Sequence, residues 1–154
     1  MDTVESRLRE LGVNLPVLGK PLANYLPWVR SGNLVFIAGQ VPFVDGNLTV
    51  TGHLGAKVSV EVGQAQARIC AINIISLLRD ACEGNLDRVV RIVRVTGYVA
   101  STPDFADHPK VINGASDMFV AAFGELGRHS RAAVGVAALP LRAAVEVDAI
   151  AEIV

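Results

Sequence analysis

The sequence is poor in the residues that build metal, disulfide and nucleic-acid sites. Its 154 residues include two cysteines and three histidines, and aromatic residues make up 5%. None of these cysteines or histidines stands in a C-x-x-C or H-x-x-x-H spacing, so we expect no metal site and no disulfide framework. No G-x-x-x-x-G-K-[ST] or G-x-G-x-x-G motif is present, which excludes the usual phosphate-binding loops, and we expect no cofactor. With a net charge of −1, the chain also lacks the basic surface typical of nucleic-acid or anionic-membrane binding.

Long apolar runs are also missing, although the chain as a whole is apolar. Hydrophobic residues make up 51% and the mean hydropathy is +0.42, yet no run approaches the ~18–20 residues that span a bilayer. The charged N-terminus has no apolar segment typical of a signal peptide, and we expect a cytoplasmic protein of one domain, 1–154. A small chain cannot bury this much apolar surface alone, so we expect a homo-oligomer.

Hydrophobic periodicity predicts an α+β order of elements. The predicted elements are a helix over 2–12, a lead-in loop over 12–27, a hairpin around 31–33, a helix over 59–83, a strand over 89–99, a helix from Pro109 to Gly127, and two final β runs, 132–139 and 143–154. We expect the last two runs to form a hairpin, and the two main helices to pack on one face of a mixed sheet. Packing between subunits would then cover the open face.

Single residues define the ends and faces of these elements. Thr3 and Ser59 are predicted helix N-caps, and Gly97 is predicted to form a strand bulge. Val4, Leu8 and Leu11 are expected to share the buried face of the first helix, and Leu126 the buried face of the last. Gln66, Asn73 and Asp80 recur every seven residues and predict a polar stripe on the long helix.

Arg131 and Glu146 are the candidate functional residues, because each is a charged residue beside or within an apolar β run. In a hairpin they could approach one another at one end of the sheet. One interpretation is a structural ion pair, which contributes little when exposed. The other is a small-molecule site, in which a guanidinium grips a carboxylate and a glutamate positions or deprotonates water.

Two stretches resemble a known family. The segment HSRAAVGVAALPLRAAVEVDAIAEI (129–153) resembles the signature of the Rid or YjgF-type reactive-intermediate deaminases, often labelled endoribonuclease L-PSP. The match lies in an arginine among small residues, an LP break, and a V-E-V about 15 residues after the arginine. The segment SGNLVFIAGQVP (31–42) resembles the family's Gly-Gln block, which aligns with Gly39 and Gln40.

This resemblance implies a chorismate-mutase-like fold and a barrel-like homotrimer with three clefts between subunits. Arg131 would bind the carboxylate of an enamine or imine acid such as 2-aminoacrylate. Glu146 would place the attacking water, and the products would be a 2-oxo acid and ammonia. The further substrate-binding positions implied by the family are Tyr25, Gly39, Asn113 and Ala133.

Several positions depart from the family pattern. Ala133 replaces a frequent cysteine, Ala38 replaces a serine, and His129 replaces a proline or alanine. Residues 1–20 are expected to be an N-terminal extension, and the loop 43–58 is longer than usual. We expect His129 to be an exposed loop histidine; the alternative is that it lines the mouth of the cleft.

Three hypotheses follow for the function. The first is a deaminase acting on enamine or imine acids. The second is a non-catalytic trimer that binds small carboxylates, which the absent cysteine and serine would favour. The third is an endoribonuclease, against which the near-neutral, aromatic-poor composition argues.

Overall fold

A computed structural model describes all residues, 1–154, as a sheet of five strands with helices on one face. Numbered in chain order, the helices are α1 (Val4–Glu10), α2 (Val60–Ala81) and α3 (His108–Phe123). The strands are β1 (Trp28–Ser31), β2 (Leu34–Gln40), β3 (Phe43–Val44), β4 (Asn47–Leu48), β5 (Val89–Ala100), β6 (Ser130–Val136) and β7 (Val145–Ile153). The main sheet has the order β1-β2-β7-β5-β6, while β3 and β4 form a separate small hairpin. The mixed α+β class expected from the sequence is confirmed.

The core lies between the main sheet and helices α2 and α3. Strand β7 alternates without exception between buried and half-buried residues, so one set of side chains faces the core and the other faces away. Helix α2 buries most of its length beneath the sheet, and α1 adds Val4 and Leu8 to the same core. No helix covers the other face of the sheet, where Leu34, Phe36 and Val134 remain 37%, 43% and 44% exposed.

The predicted C-terminal hairpin is wrong, because β6 does not pair with β7. Strand β6 pairs in parallel with β5, at the edge of the sheet, and β7 lies on the other side of β5. Helix α3 connects β5 to β6, so these three elements form a βαβ crossover. The chain then crosses over β5 through residues 137–144 before entering β7.

Most of the predicted helix and turn signals are confirmed. Thr3 caps α1 with a reciprocal capping box, and the Ser59 hydroxyl accepts a hydrogen bond from the Val62 amide at 3.2 Å. The turn between β1 and β2 is Gly32-Asn33, with φ of +60° at the glycine, as a type II′ turn requires. No helix has the length and apolar character needed to cross a membrane.

Some local predictions are wrong. Leu11 and Leu126 are 43% and 47% exposed, because α1 and α3 each end before them. Gly97 lies in regular register with both neighbouring strands, and the β5 irregularities fall nearer its start. A β-carbon at Gly97 would overlap the Ile112 side chain. The glycine therefore permits the close approach of α3, not a bulge.

The polar stripe of α2 faces the rest of the protein. Gln66 and Asn73 are 3% and 2% exposed. Asn73 Nδ2 donates to the carbonyls of Val41 and Phe43 at 3.4 and 3.2 Å, and Asp80 accepts from the indole of Trp28 at 2.8 Å. The stripe thus attaches α2 to the β1–β4 region.

Candidate functional site

Helix α3 holds the Arg131 side chain at the edge of the sheet. Arg131 is the second residue of β6, and it lies opposite Val95 of β5, whose side chain is in the core. Its side chain therefore points to the helix-covered side, where Nη1 donates to Asn113 Oδ1 at 2.8 Å and to Ser116 Oγ at 3.2 Å. Nη2 donates to the Pro109 carbonyl at 3.4 Å. All three acceptors belong to α3.

One edge of the Arg131 guanidinium, formed by Nε and Nη2, has no pair of acceptors in the chain. A guanidinium has five N–H groups in a fixed plane. The three contacts to α3 come from Nη1, twice, and from Nη2, once. The Nε–H has no acceptor in the chain, and it lies side by side with one Nη2–H. That edge has the spacing that carboxylates and phosphates bind in a bidentate manner.

The positive charge of Arg131 is also uncompensated. The four ion pairs of the chain involve other residues, and the groups that contact Arg131 are an amide, a hydroxyl and a carbonyl. Arg131 is half-buried, so it is fixed by neutral acceptors without a counter-ion. Such an arrangement attracts an anion more strongly than a fully solvated arginine does.

Glu146 forms a second, separate cluster with Gly39 and Asp148. A bulge in β2 places two residues, Ala38 and Gly39, opposite Asp148 of β7. A β-carbon at Gly39 would lie 2.6 Å from Glu146 Oε1, so the glycine leaves room for this carboxylate. Burial raises the pKa of Glu146, and the nearby Asp148 carboxylate raises it further. Tyr98 donates a hydrogen bond to Asp148 at 2.9 Å and completes the cluster.

Within one chain, Arg131 and Glu146 do not meet. Glu146 pairs with Tyr98 of β5, whereas Arg131 pairs with Val95, and an offset of three residues puts their side chains on opposite faces. Two strand spacings and three residue rises separate their Cα atoms by roughly 14 Å. The structural ion pair considered from the sequence is therefore absent from the chain, and the expected approach at one end of a hairpin is wrong.

The other positions implied by the resemblance are dispersed. Asn113 contacts Arg131 directly, and Ala133 lies two residues further along the same face of β6, opposite Gly97. Tyr25 is 58% exposed in the lead-in segment. It lines a cavity of about 690 Å³ between that segment and the end of α2, which contains no residue of the Arg131 or Glu146 clusters.

His129 is not the exposed loop histidine expected from the sequence. It is half-buried just before β6, and its ring packs edge-on against Phe119 with centroids 5.8 Å apart. Nε2 lies 2.9 Å from Ser116 Oγ, and Nδ1 lies 2.6 Å from the Gly127 carbonyl. Burial lowers its pKa, and the Arg131 charge lowers it further.

Sequence reasoning missed Ser116, which contacts both Arg131 and His129. A signal was present, because Ser116 stands three residues after Asn113 and such positions share one face of a helix. The sequence did not show that β6 lies beside α3, so it did not show which side chain this face of the helix would contact.

Comparison with known proteins agrees with this architecture. Residues 5–153 match the family described as "YjgF/chorismate mutase-like, putative endoribonuclease". Protein TCP17 of Trypanosoma cruzi is 46% identical over 97% of this chain and 94% of its own. A crystal structure of an Agrobacterium tumefaciens protein of unknown function is 46% identical, with a TM-score of 0.93 over 98% of this chain and 92% of that one. A Shewanella oneidensis structure with the same endoribonuclease description is 38% identical, with a TM-score of 0.94 over 99% of this chain and all of that one.

Proposed function

Because this chain belongs to the YjgF/chorismate mutase-like family, we propose that it binds small enamine or imine acids and hydrolyses them to 2-oxo acids and ammonia. The observation that carries the proposal is the unused Nε–Nη2 edge of Arg131. A neutral cradle that fixes a guanidinium and leaves a bidentate edge free suits a planar carboxylate. Localisation is proposed on separate grounds: two buried free thiols, Cys70 and Cys82, suit the reducing cytoplasm.

The chemistry requires one water and no cofactor. An enamine acid first takes a proton at carbon and loses one from nitrogen, which gives the 2-imino acid. Water then adds across the C=N bond, with oxygen bonding to carbon and a proton passing to nitrogen. The hydroxyl proton then passes to nitrogen as the C–N bond breaks, so that ammonia leaves and the C=O bond of the 2-oxo acid forms.

Two residues divide this work in the proposal. Arg131 binds the substrate carboxylate and orients the C=N bond next to it. Glu146 accepts a proton from the attacking water and returns it to the departing nitrogen. Its raised pKa suits this exchange, because a carboxyl that titrates nearer to neutral pH transfers protons in both directions more readily.

Both residues can act on one molecule only if they come from different chains. They lie on opposite faces of one sheet, roughly 14 Å apart. We therefore propose a homotrimer whose sheets pack through their open faces, so that Glu146 of one subunit approaches the β6 edge of the next, where Arg131 lies. The exposed apolar side chains Leu34, Phe36 and Val134 favour such packing.

A trapping assay tests the activity. 2-Aminoacrylate is generated from an amino acid in the presence of semicarbazide, and the semicarbazone yield is measured with and without the protein. We expect the wild-type protein to lower the yield and Arg131→Ala to lose this effect. Arg9→Ala is the matched control, because Arg9 is an exposed arginine of α1, away from the open face of the sheet, whose side chain forms no hydrogen bond or ion pair. Wild-type rates for Arg131→Ala would refute the role of Arg131, and light scattering of both variants reports whether the trimer persists.

A non-catalytic carboxylate binder is the second candidate, favoured by Ala133 and Ala38, which supply neither a thiol nor a hydroxyl. In that case 2-oxo acids raise the melting temperature of the wild-type protein by mass action, but no imine is consumed. The endoribonuclease description of the family gives a third outcome. A net charge of −1 argues against it, and RNA binding that weakens with salt would support it.

A further inference from the structure

Behind Arg131 lies a chain of three hydrogen bonds whose donors and acceptors are fixed by chemistry. It runs from Arg131 Nη1 to Ser116 Oγ at 3.2 Å, from Ser116 to His129 Nε2 at 2.9 Å, and from His129 Nδ1 to the Gly127 carbonyl at 2.6 Å. A guanidinium only donates, and a carbonyl oxygen only accepts. These two ends determine the direction of every bond between them.

The Gly127 carbonyl requires the proton of a neutral His129 to be on Nδ1. Nε2 then carries a lone pair, which can only accept, so the Ser116 hydroxyl donates to it. With its hydrogen directed to His129, the Ser116 oxygen presents its lone pairs to Arg131 Nη1. We call this arrangement the His129–Ser116 relay.

Protonation of His129 would reverse the middle bond. Nε2 would then donate to Ser116, whose oxygen would have to accept from two cationic groups at once. The charged groups around the ring are few. Arg131 approaches from β6, Glu125 and Arg128 pair with each other on the preceding turn at 3.1 Å, and α3 contributes the neutral Ser116 and Phe119. No carboxylate contacts the ring to compensate a second positive charge beside Arg131.

We infer that the His129–Ser116 relay positions the Arg131 guanidinium, and that substrate carboxylates bind with full affinity only while His129 is neutral. The inference rests on the proposed function, because it assigns positioning residues to the same carboxylate site. Asn113 and Pro109 contact the guanidinium as well, but neither can change its protonation state. His129 therefore makes the site sensitive to pH.

The test compares serine variants by calorimetric titration with pyruvate between pH 5 and 8. In the wild-type protein we expect the dissociation constant to rise as the pH falls through the His129 transition. Ser116→Ala should weaken binding at pH 8 by about 3- to 10-fold, the net contribution of a typical hydrogen bond, because Asn113 and Pro109 still hold the guanidinium. It should also flatten the part of the pH dependence that comes from His129, whereas Ser116→Thr, which retains the hydroxyl, should behave as wild type.

The chain contains a matched control. Ser101 Oγ lies 3.2 Å from His108 Nε2, so Ser101 and His108 form another serine–histidine pair, at the start of α3. No hydrogen bond joins this pair to Arg131. Ser101→Ala should leave both the affinity and the pH profile unchanged. All these variants retain Glu146, so its titration contributes equally to their pH profiles. Differences between the pH profiles therefore report the effect of the His129–Ser116 relay.

A second measurement separates this inference from the proposed function. Nitrogen-15 NMR of the imidazoles, assigned with His129→Gln, should show His129 as the Nδ1–H tautomer at neutral pH. Its pKa should rise in Arg131→Ala, because the neighbouring positive charge is lost. An Nε2–H tautomer, or a Ser116→Ala variant with wild-type affinity and pH profile, would overturn the relay. If the wild-type protein binds no 2-oxo acid while the tautomer is as expected, the proposed function fails and the hydrogen-bond chain stands.

Discussion

Replacement of Arg131 by lysine tests whether geometry or charge carries carboxylate binding. Lysine preserves the positive charge but presents three donors from one nitrogen, not two parallel donors on a rigid edge. Arg131 makes three hydrogen bonds to α3, and its Nε–Nη2 edge remains free for a ligand. A single ammonium nitrogen cannot form two parallel, well-aligned hydrogen bonds to the two oxygens of one carboxylate. The variant therefore loses at least one charge-assisted hydrogen bond.

The expected loss follows from the strength of that bond. A hydrogen bond to a charged group contributes about 1.5–3 kcal/mol, which corresponds to a 10- to 150-fold higher dissociation constant. The loss should lie toward the upper end, because the lysine nitrogen must also satisfy Asn113 Oδ1, the acceptor 2.8 Å from Nη1 in the native site.

Isothermal titration with pyruvate at pH 8 measures the effect, and Arg9→Lys on the exposed surface of α1 serves as the control. Circular dichroism and light scattering establish that the variant is folded and has the wild-type assembly. An Arg131→Lys protein that binds pyruvate within threefold of wild type would show that a point charge suffices. The bidentate argument would then be wrong.

Two further predictions concern stability. Gly97→Ala should lower the free energy of unfolding by about 1–3 kcal/mol, because the new methyl group overlaps three atoms of the buried Ile112 side chain; Gly19→Ala, with no atom within 4 Å, should change it little in the same thermal melts. Glu146→Gln should reduce the pH dependence of the melting temperature. A raised folded pKa favours the native state below the unfolded pKa, near 4.5, and this contribution is lost as the pH rises through the folded pKa. Relative to wild type, the glutamine variant should therefore gain stability from pH 4.5 toward neutral pH, and a constant difference in melting temperature would contradict the raised pKa.

Two positions that depart from the family pattern, Ala133 and Ala38, lie beside the Arg131 and Glu146 clusters. Ala133 is partly buried two residues after Arg131, on the same face of β6, and packs against the core. Ala38 lies in the β2 bulge beside Gly39, close to Glu146. Both substitutions leave the Arg131 cradle intact, and both remove a polar group from the region where the proposed substrate binds. Under the proposed function, Ala133 and Ala38 affect which imine acid fits the site more than whether a carboxylate binds.

Local signals in the sequence were sufficient for most of the secondary structure. Ser59 caps α2 because its hydroxyl satisfies an amide of the first turn, a contact that spans three residues. The Gly32-Asn33 turn closes the first hairpin because glycine adopts φ of +60° without steric cost. Each of these features depends on neighbours a few residues away, so the sequence by itself determines them.

The site depended on contacts that local patterns do not encode. β6 and β7 are consecutive along the chain, yet β5 separates them, because α3 returns the chain to the edge of β5 and favours parallel pairing there. This order places Arg131 under α3 and directs Glu146 to the open face. The sequence singled out both residues as candidates, and the family resemblance led to the proposal that Arg131 binds a carboxylate. Only the tertiary structure decided that the two residues lie on opposite faces and that Ser116 hydrogen-bonds to both Arg131 and His129, since strand order is set by long-range packing of helices on the sheet.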